Sequence, residues 1–160
     1  MELTSAAEFL SQKYLELQQE WGSNSVTLRD EGKKIKDNYH IGRRIDNRGT
    51  SSFAQVRNAT HRDFGARRAC KSYYIANPVF NDAKDDVEFM NQPGLSSFLI
   101  FKEISTMAKV SHQNCLQLYE VYFDSEFIHL VIELCIGGEL FDMIKREKKF
   151  SEKKAISLFT

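Results

Sequence analysis

The segment IHLVIELCIGGELFDMI, residues 128–144, opens with a run of apolar and β-branched residues, passes Glu133 and the Gly137–Gly138 pair, and closes on the spacing of a short helix. The first part reads as a buried strand. A strand that stops at VIELC leaves backbone donors and acceptors where pairing ends, and the glycines let the chain turn closely before Glu139. Such a connector suits a flat ligand lying along the backbone edge, and it equally suits an ordinary strand-to-helix link.

Upstream, CLQLYEVYFD pairs with FIHLVIELC as a hairpin around DSE. SSFLIFKEISTMAKV has helical spacing, with Ile100, Ile104, Met107 and Ala108 on one face and Ser96 or Ser97 as the expected cap. YHIGRRI, FAQVRNAT and ARRACKSYYI read as three further strands, the last two joined by the turn chemistry of HRDFG. NPVFNDAKDDVEFMNQPG holds both prolines and reads as a surface insertion. Residues 3–21 carry an apolar stripe of Leu3, Ala7, Leu10, Tyr14, Leu17 and Trp21, with a Ser5–Glu8 capping box. This helix is expected to dock on its own domain, the alternative being recruitment of a protein partner. A polar connector follows over 23–36. Downstream, GGELFDMIKREKK gives a short helix, and SEKKAISLFT starts another with Ser151 as cap. Strands, one helix, strands and then helices argue for an α+β fold with a mostly antiparallel sheet.

The chain of 160 residues is long enough for one domain with a core, and its net charge of zero implies no general attraction to nucleic acid or to an anionic membrane. No apolar run is long enough to span a bilayer, and no basic-then-apolar leader follows Met1. The three cysteines, Cys70, Cys115 and Cys135, show no ligand spacing and read as free thiols of a reducing compartment, so a cytoplasmic location and no metal site are expected. Cys135 is expected to be a buried thiol, the alternative being one within reach of an electrophile.

Four signals could carry chemistry. On the strand RRACKSYYI, Ala69, Lys71 and Tyr73 share one face and Arg68, Cys70 and Ser72 the other. A lysine on that face either snorkels to water or meets an acid. Glu103 sits at the edge of its helix's apolar stripe, one turn before Met107, and can reach the sheet to pair with such a lysine; alone, it would be an ordinary solvated acid. RGTSSFAQV, between two strands, can expose backbone N–H groups to phosphate oxygens or be a plain hairpin turn. The strand-to-helix connector is the fourth.

Taken in order, these elements resemble the N-terminal lobe of a eukaryotic protein kinase. SFAQV resembles the end of the glycine-rich loop, ACK the lysine motif of the third strand, and FKEISTMAKVSHQNCLQLYEVY helix C with its glutamate, the His-x-Asn turn and the fourth strand. LVIELCIGGELFD resembles the fifth strand, hinge and helix D, and FSEKKAISLF the start of helix E. KIKDNYHIGRRI and GGELFDMI are similar to the calcium/calmodulin-dependent group, above all the calcium-dependent protein kinases of plants and protists. The resemblance implies a five-stranded antiparallel sheet with helix C, and divides the chain into an extension (1–38), the N-lobe (39–134) and the hinge with helix D and the start of helix E (135–160), the C-lobe being absent.

The resemblance also implies a serine/threonine kinase that binds ATP. Lys71 would hold the α- and β-phosphates and pair with Glu103. Val56 and Ala69 would sandwich the adenine, with Ile45 beside them. Ile132 would be the gatekeeper, the Glu133 carbonyl and Cys135 N–H would bond the adenine edge, and Glu139 would face the ribose. Gly49, Ser51, Phe53 and Ala54 would form the phosphate-covering loop. Met107 and Leu118 would belong to the regulatory hydrophobic spine.

Two departures qualify this. Counting back from Phe53, Gly49, Ser51 and Ala54 occupy the loop's three glycine positions, so side chains would hold the backbone away from the phosphates. Counting forward from Ile45 instead puts Asp46 on the first position, with a short insertion. His-Arg-Asp, Asp-Phe-Gly and Ala-Pro-Glu are not found, so the Mg2+ ligands and the protein-substrate lobe are expected beyond Thr160, and these residues alone are expected not to transfer phosphate. The alternative is a pseudokinase or scaffold lobe that binds a protein partner without catalysis.

Overall fold

The computed structural model describes residues 15, 16, 19, 26–29, 33–45, 54–74, 95–124 and 126–159. The helix expected over 3–21 therefore lies outside them, apart from helical backbone at Leu15, Glu16 and Gln19. The phosphate-loop residues Gly49, Ser51 and Phe53 and the insertion at 77–94 also lie outside them.

The strands are β1 (Thr27–Arg29), β2 (Tyr39–Arg44), β3 (Ala54–His61), β4 (Arg67–Tyr74), β5 (Leu118–Phe123) and β6 (Phe127–Ile132). They form one sheet in the order β1-β5-β6-β4-β3-β2. The expected five strands, β2 to β6, pair antiparallel. The sixth was not foreseen: part of the connector at 23–36 adds β1 in parallel to β5, with Thr27 opposite Glu120 and Arg29 opposite Tyr122. A short strand there covers backbone groups that β5 would otherwise present as an open edge. Arg29 Nε donates to Glu120 Oε2 at 3.3 Å, and Glu120 also accepts the Tyr39 and Tyr122 hydroxyls at 2.8 and 2.7 Å.

Helix α1 (Ile35–Asn38) is a single turn before β2, and α2 (Leu95–Lys109) packs on the sheet. Helices α3 (Leu140–Glu147) and α4 (Glu152–Phe159) follow the strands. Helix α2 begins before Ser96 and Ser97, so these serines lie in its first turn rather than at its cap. Ser151 does cap α4: its side-chain oxygen accepts the Lys154 N–H at 3.3 Å and its carbonyl accepts that of Ala155 at 2.9 Å.

The sheet is buried on both faces. Ala69, Tyr73, Leu118, Val121, Ile128, Leu130 and Ile132 meet Phe101 and Ile104 of α2 on one side. Cys70, Val131, Ala59 and Tyr122 meet Ile35 and Tyr39 on the other. This is why β6 is apolar at nearly every position instead of alternating. A register shift between Leu118 and Glu120 inserts one residue into β5, so Leu118 and Val121 both face α2. Phe101, absent from the predicted helix stripe, stacks on Phe123 with ring centroids 6.1 Å apart.

Gly65 takes φ +63° in the β3–β4 turn, where its N–H donates to the His61 carbonyl at 3.0 Å. Of the two glycines before α3, only Gly138 needs the left-handed region, at φ +75°.

Candidate nucleotide site

The candidate residues come from neighbouring strands, and their register puts them on one face. Val56 lies opposite Lys71, and Ala69 opposite Ile132. Directly opposed residues of an antiparallel pair point the same way, so the lysine shares its face with these three apolar side chains. Val56, Ala54, Ala69 and Ile132 belong to the cluster under α2, as do Leu118 and Met107. The Ile45 N–H donates to the Val56 carbonyl at 2.9 Å, which sets Ile45 beside Val56 at the end of β2. Small Ala69 lies between Val56 and Ile132 on this surface.

Lys71 and Glu103 meet. Lys71 Nζ donates to Glu103 Oε1 at 2.7 Å, with about a third of each side chain exposed. Helix α2 holds Glu103 there because Phe101 and Ile104, on either side of it in sequence, are buried against the sheet. The sequence reading missed a second donor: the Tyr73 hydroxyl gives a 2.5 Å hydrogen bond to Glu103 Oε2. The Lys71 ammonium also lies 5.0 Å from the centroid of the Tyr73 ring. Burial, then the hydrogen bond to Glu103 and its charge, push the Tyr73 phenol well above its ordinary range. The signal was present: Tyr73 shares the face of Lys71, and a buried tyrosine hydroxyl requires a partner.

At the end of β6 the Glu133 N–H donates to the Gln117 carbonyl at 2.9 Å, which closes the β5–β6 ladder. Among the described residues no hydrogen bond is made by the Glu133 carbonyl or the Cys135 N–H. Beyond this point Cys135 is exposed, which corrects the expectation of a buried thiol: the chain has left the sheet and nothing described packs over it. Cys70 is buried and Cys115 exposed, and all three cysteines are free. Glu139 stands exposed at the N-terminus of α3. Among the described residues no group of three or more His, Cys, Asp or Glu side chains converges as a metal site, and no helix is long and apolar enough to cross a membrane.

An ammonium paired to a helix carboxylate, beside apolar side chains and an open backbone edge, fits a ligand with a flat heteroaromatic part and an anionic part. The protein kinase domain family model matches residues 39–160, and the chain belongs to that family. Among curated proteins it is 34% identical over 130 residues to a probable myosin light chain kinase of Dictyostelium discoideum, covering 81% of this chain and 29% of that one. It is also 34% identical over 137 residues to calcium-dependent protein kinase 4 of Arabidopsis thaliana, covering 85% and 24%. Against calcium-dependent protein kinase SK5 of Glycine max the figures are 32% over 143 residues, 85% and 25%. The chain thus spans about a quarter to a third of the length of these relatives.

Proposed function

We propose that this chain is the ATP-binding lobe of a serine/threonine protein kinase that moves the γ-phosphate of ATP to protein hydroxyls. The observation that carries the reading is the Lys71–Glu103 contact at 2.7 Å on the apolar face shared by Val56, Ala69 and Ile132. In this reading Lys71 binds the α- and β-phosphates and Glu103 keeps it extended toward them. Val56 and Ala69 enclose the adenine with Ile45 at the rim, and Ile132 closes the back. The Glu133 carbonyl and Cys135 N–H bond the base edge, and Glu139 faces the ribose. Gly49, Ser51 and Phe53 belong to the phosphate-covering loop, which ends at Ala54 where β3 begins. Mg2+ would be held by ligands of the family's later motifs and would supply positive charge to the phosphates. These 160 residues by themselves bind nucleotide without transferring phosphate, because the base and both magnesium ligands of those motifs are not among them. Protein substrates and a cytoplasmic location belong to the same proposal.

The test is thermal unfolding with and without Mg-ATP. A ligand that binds only the folded state stabilises it by about 2.7 kcal/mol at a hundredfold excess over Kd. Wild type is expected to melt higher with Mg-ATP, and Lys71→Met to lose that rise. Equal rises in both proteins would remove Lys71 from the site. A folded wild type with no rise would favour the scaffold alternative, for which the glycine-poor loop is the sequence argument.

A further inference from the structure

The Lys71–Glu103 pair is too exposed to fix the helix by itself. The two side chains are 28% and 35% exposed, and ion pairs at that exposure are screened by water and lose the entropy of two long side chains. Lysine is the weaker anchor, with four torsions and an ammonium that water solvates well. The second oxygen of Glu103 is held differently. Tyr73 stands on the same face of β4 as Lys71, a residue 6% exposed within the core cluster under α2. Its ring has two torsions, both restrained by packing, so its hydroxyl is a rigid donor aimed at Glu103 Oε2. Hydrogen bonds from a neutral hydroxyl to a carboxylate are short and strong, and 2.5 Å is at the short end of that range. Because burial and the facing carboxylate raise the phenol, it stays a proton donor throughout the neutral range.

We propose that Tyr73 is a positioning residue for nucleotide binding: its hydroxyl holds Glu103 turned toward Lys71 and so sets how firmly the lobe grips the phosphates of a nucleoside triphosphate. The inference rests on the reading of this face as an ATP site. Each carboxylate oxygen then has its own donor, Lys71 on one and Tyr73 on the other. Moving Glu103 away from the sheet must break both bonds. Without the phenol, Glu103 is free to turn into water, and Lys71 loses the partner that keeps it extended. Tyr73 thus acts through Glu103 and makes no contact with the nucleotide itself.

The experiment is a double-mutant cycle on the affinity of the 160-residue chain for Mg-ATP, measured by calorimetry, with urea unfolding of each variant alongside. Tyr73→Phe keeps the buried ring and removes only the hydroxyl. It is expected to weaken Mg-ATP about threefold to tenfold, the scale of one ordinary net hydrogen bond, because the loss reaches the nucleotide only through Glu103. Glu103→Ala is expected to weaken it further, and Tyr73→Phe added to Glu103→Ala to change the affinity no more. A tyrosine that merely supports the fold would lower the urea midpoint equally in both backgrounds and leave the affinities additive, which would overturn the proposal. So would wild-type affinity in Tyr73→Phe. If wild type itself holds no Mg-ATP, the ATP reading fails and the proposal falls with it, a result distinct from a binding wild type with an unaffected Tyr73→Phe.

Discussion

His129 shows how a single part-buried side chain ties stability to pH. It sits on the sheet face away from α2, with Nδ1 2.8 Å from Ser72 Oγ and Nε2 3.3 Å from Asp124 Oδ2. Burial lowers its pKa from 6.5, Asp124 opposes the shift and the charge of Lys36 adds to it. The fold therefore holds the neutral ring, while the unfolded chain takes up a proton as pH falls through about 6.5. Protons then favour the unfolded state, so stability is fully present above that pH and declines below it until the folded pKa is passed. The urea midpoint of wild type is expected to fall between pH 7 and about pH 5.5, and His129→Gln to lose that part of the fall. Parallel pH profiles for the two proteins would show that His129 is not the source.

At the scale of elements, α3 ends under local strain. Lys148 closes it at φ +61°, a conformation in which a β-carbon crowds the backbone, while its N–H donates to the Ile144 carbonyl at 2.7 Å. Glycine has no such conflict at a helix C-terminus. Lys148→Gly is expected to stabilise the chain by up to about 1 kcal/mol, read as a higher urea midpoint with an unchanged slope. A lower midpoint would mean that the lysine side chain contributes more than its backbone costs. The junction between α3 and α4 does not depend on this side chain, since Lys154 bridges to Glu147 at 2.6 Å. Helix α2 is set differently, by Ile104 at 0% exposure and by the Phe101–Phe123 stack, so its position follows the sheet beneath it.

For the whole molecule, the distribution of apolar surface is uneven. The sheet is closed on both faces, yet Ile136 is 81% exposed, Phe141 60% and Ile156 55%, all in the segment that follows β6. Exposed side chains of this size are the kind of surface that binds hydrophobic dyes. Folded protein is expected to enhance the fluorescence of anilinonaphthalene sulfonate, and Ile136→Ser combined with Phe141→Ser to reduce the enhancement without lowering the urea midpoint. An unchanged dye signal would place the apolar surface elsewhere.

Much of this architecture was legible from local pattern. Alternation put Ala69, Lys71 and Tyr73 on one face, turn chemistry joined β3 to β4, and helical spacing set Glu103 at the rim of α2. Those readings rest on period, which the covalent chain imposes wherever a face must be buried. Strand β1 was not legible, because three residues carry no readable period and its pairing depends on an open edge of β5 far along the chain. The inserted residue in β5 and the stacking of Phe101 escaped for the same reason, being set by a partner strand and not by their own neighbours. Sequence alone thus determined the α+β order of elements, the family resemblance and Glu103 as a candidate partner for Lys71. Only the tertiary structure decided that Glu103 has two donors and that Cys135 is exposed, because hydrogen bonds and burial depend on which distant residues share a space, and no local period encodes that.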